Sequence, residues 1–174
     1  MIASLLSTDG DWVLTVVRVV LGIVFFAHGA QKLLGWFGGH GLSATVRTFR
    51  DQLGIPAPLA YLAIAAEFFG GLCLIAGFLT RLAALGIVIT MAVAVITVHL
   101  EHGFFLNWFG EKQGHGFEYH LLAIALALVV IVYGGGALSL DRALYRQLTS
   151  RDSVALEFNL LIPFLFLAKP IFFK

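Results

Sequence analysis

Four ionisable side chains lie where this sequence is most apolar. Arg18, His28 and Lys32 fall within Trp12–Leu34, and Glu67 sits near the middle of Ala57–Leu79. Both segments are long and greasy enough to cross a bilayer. A charge at the centre of a membrane helix costs about 2.5–3.5 kcal/mol on the insertion scale, and it is tolerated when it faces the interior of a helix bundle. Buried Glu and His hold and pass protons, because burial and neighbouring charge tune their proton affinity. Proton-coupled chemistry between apolar helices is therefore the reading to test, against one in which the charges neutralise each other and pin the bundle.

The elements that position these groups follow from helical periodicity. Arg18, Gly22, Phe25, Gly29 and Lys32 succeed one another at alternating steps of four and three, which places them on one face of a helix over Trp12–Leu34. Gly22 and Gly29 on that stripe let a neighbouring helix approach closely. Ala63, Glu67, Gly70, Leu74, Gly77 and Arg81 repeat the alternation along the second span, Ala57–Leu79. A third span over Leu82–Leu100 ends in His99, Glu101 and His102, and a fourth runs over Phe117–Tyr133 with Glu118 and His120 in its first turn. Between the first two spans, Leu42, Val46, Phe49 and Leu53 share a face, which predicts an interfacial amphipathic helix capped by Ser43. Thr80 is the expected cap of the third span.

Composition agrees. Of the 174 residues, 60% are hydrophobic and 12% charged, against about 45–50% and about 25% in soluble domains; the mean hydropathy is +0.95. The net charge of +1 offers no basic surface for nucleic acid. One cysteine, Cys73, rules out an internal disulfide and CxxC redox chemistry. The N-terminus lacks a basic region before its apolar run, so the first span is expected to direct insertion without a cleaved signal peptide. The glycine-rich GWFGGHG stretch, Gly35–Gly41, lacks the phosphate-loop pattern. WFGGHG and WFGEKQGHG echo each other after spans one and three, a weak trace of duplication.

Four spans bring His28, His40, His99, His102, His115 and His120 to one membrane face, joined there by Lys32, Glu101 and Glu118. Glu67 is expected deeper, and Arg18 in the opposite half. A quinone headgroup asks for donors to its carbonyl oxygens and a route for two protons, and His, Arg, Lys and Glu between apolar helices provide both. Glu67 and Glu118 are the candidate proton acceptors, with Arg18 and Lys32 as charge partners. His28, His99 and His120 are the candidate headgroup or relay groups. Trp36, with Phe37, Trp108 and Phe109, reads first as an interfacial belt and second as part of a headgroup site. No metal-ligand spacing such as HExxH occurs, so no metal site is named; axial haem ligation by the three helix-end histidines is the alternative. A solute or proton carrier would need water access from both faces, and no inverted repeat supports it.

The segments RVVLGIVFFAHGAQKLLGWFGGHG, AAEFFGGLCLIAGFLTRLAA and GFEYHLLAIALALVV, with a histidine ending span three, resemble the DoxX family of small four-helix membrane proteins. Arg18, Gly22, His28, Gly29 and Lys32 match its first-helix pattern. Glu67, Gly70, Gly71, Gly77 and Arg81 match its second, and Glu118 its fourth. The resemblance covers Trp12–Asp141. It implies a membrane oxidoreductase component, associated in relatives with quinol oxidase, thiosulfate:quinone oxidoreductase or redox-stress complexes. No nicotinamide or flavin fingerprint is present, so electrons would come from a quinol, a metal centre or a partner subunit.

The expectation is an all-α transmembrane four-helix bundle over residues 1–144. An apolar tail over 145–174, interrupted by Glu157, Asn159, Pro163, Lys169 and Pro170, is expected to be interfacial or re-entrant. The bundle handles quinone or quinol, or else serves as a non-enzymatic adaptor or assembly subunit whose buried charges are structural. Its partners are the lipid bilayer, membrane or redox proteins and a second copy of the chain. Arg81, Arg142, Arg146 and Arg151 put both termini on the cytoplasmic side of a bacterial inner membrane.

Overall fold

The helix from Trp12 to Leu34 (α2) shows how sharply local chemistry sets the boundaries. Asp11 precedes it, and its carboxylate accepts the Val13 N–H at 2.6 Å. Gly35 ends it in the left-handed region, φ 74°, with its N–H returned to the Ala30 carbonyl. The computed structural model describes residues 2–150. A single turn, Ile2–Leu6 (α1), precedes α2, and the later helices are Gly41–Asp51 (α3), Ala57–Ala76 (α4), Thr80–Ala94 (α5) and Glu118–Tyr133 (α6). A last helix, α7, covers residues 140–150. It crosses the boundary expected between 144 and 145; the tail beyond 150 lies outside the described residues. No strand occurs among the described residues.

α2, α4, α5 and α6 close into a ring in which α2 packs on α4, α4 on α5, α5 on α6 and α6 back on α2. Two of the long apolar helices are α2 and α4; the third runs from Thr80 to His102, because α5 continues through a π turn, Val95–His99, and a 3₁₀ turn, Leu100–His102. α6 has 16 residues, about 24 Å of rise. The core between them holds Leu21, Phe25, Leu74, Ile87, Met91 and Val130. The outward faces stay apolar, as at Val13, Val16, Val20, Ile23, Leu62, Ile96 and Leu122. An exposed face of that kind matches lipid rather than water. The protein is thus a helical membrane bundle.

The stripe expected on α2 faces α4, which meets it through Glu67, Phe68, Gly71 and Ile75. Gly70 of the expected α4 stripe turns instead to Ala83 and Ile87 of α5. A Cβ at Gly22 would lie 2.8 Å from the Ile75 nitrogen and 2.9 Å from the Gly71 oxygen. One at Gly29 would strike the backbone of Phe68, and one at Gly71 the backbone of Phe26. Hydrogen alone fits at these positions, so the two backbones meet along the glycine face. α3 lays Val46 on Ala60 and Ile64, with Leu42 and Phe49 beside it.

Three boundaries differ from the sequence reading. α3 begins at Gly41 after His40, so Ser43 lies inside the helix and caps nothing. α4 stops at Ala76 because Gly77 takes φ 73°, three residues before the expected end at Leu79. α5 begins at Thr80 rather than Leu82, after Leu79 at φ 47°. Its cap is remote: Asp141 accepts the N–H groups of Leu79 and Thr80 at 2.7 and 2.9 Å and the Thr80 hydroxyl at 2.7 Å. Thr80 is therefore not the expected cap but the first residue of the helix, a donor to a carboxylate that comes from α7.

Candidate functional site

The closeness of α2 and α4 decides where Lys32 can reach. Gly29, one turn before it, rests against the backbone of Glu67 and Phe68. Lys32 Nζ therefore meets Glu67 Oε2 in a salt bridge; the Glu67 side chain is 4% exposed and that of Lys32 26%. This joins two of the expected site residues across 35 positions of chain.

The histidines gather beside the pair. His28, one turn before Lys32, lies within electrostatic reach of Lys32 and Glu67. Its ring stands 6.2 Å from that of Tyr119, centroid to centroid. Tyr119 in turn is 5.4 Å from His120, and His120 is 4.0 Å from His99. The π turn explains the last contact. An extra residue in the turn Val95–His99 rotates everything after it, and it brings the His99 ring over His120. His99 Nδ1 then bonds the His115 carbonyl at 2.7 Å, which ties the cluster to the exposed loop between α5 and α6.

Two buried polar atoms in this row have no hydrogen-bond partner among the described residues: the Tyr119 hydroxyl and His120 Nδ1. Most buried polar groups in proteins are satisfied; Arg81 Nε, toward the other end of the bundle, is likewise orphaned among the described residues. A phenol hydroxyl and a neutral imidazole nitrogen each donate or accept according to their partner.

The remaining expected site residues are placed elsewhere or otherwise engaged. Glu118 Oε1 accepts the Leu106 N–H at 2.9 Å, which pins the aromatic loop to the start of α6. Trp36 is 53% exposed and meets Phe37 edge-on, apart from the ring cluster. Arg18 is 1% exposed and lies fourteen residues back along α2 from Lys32, about 21 Å of rise. It is not brought to Glu67. Its guanidinium donates to the carbonyls of Leu74 and Ile75 at the end of α4, and to Gly135 and Leu138 in the segment before α7. Arg81 is used similarly, on the carbonyls of Ile131 and Ser7. Among the described residues no group of three or more His, Cys, Asp or Glu converges as a metal site.

Sequence reasoning missed Tyr119 and Asp141. Tyr119 sits in an apolar span, where an aromatic reads as core, and the only signal was its position between Glu118 and His120. Asp141 follows a glycine-rich stretch, and no local pattern connects it to a helix start 61 residues earlier.

The model of the DoxX family matches residues 13–100. Among curated proteins the chain is similar to "Putative oxidoreductase CatD" of Bacillus subtilis, with 31% identity over 129 residues, 74% of this chain and 84% of the relative. It is also similar to "Inner membrane protein YqjF" of Escherichia coli, with 30% identity over 132 residues, 76% of this chain and 92% of the relative. An uncharacterized membrane protein of Mycobacterium tuberculosis shares 29% identity over 162 residues, 84% of this chain and 90% of the relative. No solved structure matches the chain. The glycine-lined contact of α2 with α4 and the Lys32–Glu67 pair lie within the matched segment, and this chain belongs to the DoxX family.

Proposed function

We propose that the protein is a membrane oxidoreductase component that handles a quinone or quinol at the Lys32–Glu67 and histidine cluster. The carrying observation is the pair of unpartnered buried atoms, Tyr119 Oη and His120 Nδ1, beside a buried ion pair. Quinone is here a substrate that arrives from the lipid. Oxidation of a quinol releases two electrons and two protons; Glu67, held by Lys32, takes up the protons in turn and hands each on, and Lys32 balances less charge while Glu67 is protonated. His28, His120 and His99 supply the route toward the exposed loop. Electrons pass to or from a partner subunit, since the chain carries no flavin or nicotinamide fingerprint. The name of the Bacillus subtilis relative points in the same direction, and that of the Escherichia coli relative supports residence in a bacterial inner membrane. Arg81, Arg142 and Arg146 favour cytoplasmic termini.

A titration of decylubiquinol into the purified chain in nanodiscs, followed by turnover with an artificial acceptor, tests this reading. Saturable binding, with turnover lost in Glu67→Gln, is the expected result. Absence of saturable binding by the wild type contradicts it.

A second reading has its own observation. Arg18, Arg81, Glu118 and Asp141 each bond backbone groups, which suits an adaptor or assembly subunit whose charges hold its shape. In that case Glu67→Gln lowers stability or recovery of a partner, and there is no intrinsic turnover to lose.

A further inference from the structure

Tyr119 offers a hydroxyl hydrogen and a lone pair at a depth where neither has a partner among the described residues. A buried tyrosine hydroxyl without a partner costs desolvation that phenylalanine would not. Tyr119 packs against the hydrophobic core cluster, so phenylalanine would satisfy packing alone. Two rings bracket it, His28 at 6.2 Å and His120 at 5.4 Å, and Glu67 is within electrostatic reach. His120 is 7% exposed, and its Nδ1 is the second orphan.

The two oxidation states of a quinone make opposite demands. The quinone's carbonyl oxygens only accept hydrogen bonds, whereas the quinol's hydroxyls donate as well. Lys32 can only donate, and an ionised Glu67 can only accept. A phenol can do both without changing charge, and a neutral imidazole can do both by exchanging tautomers. We infer that Tyr119 Oη and His120 Nδ1 are the two atoms that hold the oxygen functions of the headgroup, in both of its oxidation states. Tyr119 donates to the carbonyl of the quinone and accepts from the hydroxyl of the quinol; His120 does the same through its two tautomers. Neither residue gains or loses a net proton in binding. This assignment rests on the proposed quinone reading and names the atoms that carry it.

The test is equilibrium binding of decylubiquinone and decylubiquinol to the full chain in nanodiscs, measured alongside thermal unfolding. Tyr119→Phe is expected to weaken both probes about 5- to 10-fold, the equivalent of one neutral hydrogen bond, with the melting temperature unchanged or raised. A purely structural tyrosine would show no loss of binding. His120→Leu is expected to weaken both probes similarly, and His120→Asn, which keeps a polar atom near the Nδ1 position, to recover most of the affinity. Wild-type affinity in Tyr119→Phe, with binding by the wild type intact, overturns the assignment and leaves the quinone reading standing. A wild type that binds neither probe overturns both.

Discussion

Lys32 and Glu67 are paired across the contact of α2 with α4, where glycines bring the two backbones together. The pair is asymmetric: the carboxylate is buried, and the ammonium retains a quarter of its exposure. The cation can therefore be rehydrated more easily than the anion.

Removing one partner of a buried pair strands the other, at a cost of about 3–5 kcal/mol, whereas replacing both by apolar groups is often neutral. Lys32→Met is expected to lower the melting temperature strongly, because it strands the buried Glu67 carboxylate, and Glu67→Leu less so, because the ammonium left behind is partly exposed and can rehydrate. The double variant should regain most of the lost stability. Activity should not return with it, because the double variant has no proton acceptor. Thermal unfolding and quinol turnover on the same preparations separate the two effects.

Glycine substitutions test the geometry that creates the pair. Gly29→Ala drives a methyl into the Phe68 backbone, and backbone cannot swing aside as a side chain can. A loss of about 1–3 kcal/mol is expected from such overpacking, together with separation of Lys32 from Glu67 and loss of activity. Gly70→Ala is the control. Its new Cβ would lie 3.7 Å from the Ala83 oxygen, an ordinary contact. Unfolding curves should place Gly70→Ala near the wild type.

The opposite end of the bundle is expected to be structural. Asp141 accepts three hydrogen bonds at the start of α5, and Asp141→Ala leaves two backbone N–H groups and a hydroxyl unpaired. A loss of about 1–3 kcal/mol follows from the orphaned donors. Asp141→Asn keeps one carbonyl oxygen and should fall between. Ligand affinity of the folded fraction should be unchanged in both, as measured by quinol titration.

Arg18 is expected to resist its own conservative replacement. The guanidinium fork reaches four carbonyls in two segments, and a lysine ammonium is a point donor that cannot span them. Arg18→Lys should destabilise the bundle by an amount approaching that of Arg18→Met. A Lys variant as stable as the wild type in a thermal melt would sink this account of Arg18.

Much of this was legible in the chain. The four-three alternation in Arg18, Gly22, Phe25, Gly29 and Lys32 carried the buried face of α2, because helical periodicity is local. The same held for Glu67, Gly70 and Leu74 on α4. Partners were less legible than faces. Arg18 shares its stripe with Lys32 but bonds backbone carbonyls, and a carbonyl leaves no mark on residue identity. His99 reaches His120 through a π turn, an insertion of one residue that no propensity of Val95–His99 announces. Asp141 caps a helix from another part of the chain, a contact visible only once the bundle has closed.

The most direct measurement is the quinone retained by the delipidated, purified protein after saturation with added decylubiquinone, read from an oxidised-minus-reduced absorption difference spectrum. The account predicts a reversible quinone band in near-stoichiometric proportion to the wild-type chain, and a much smaller one in the Tyr119→Phe variant. A featureless difference spectrum for a wild type that also fails to bind added decylubiquinone would contradict the central claim.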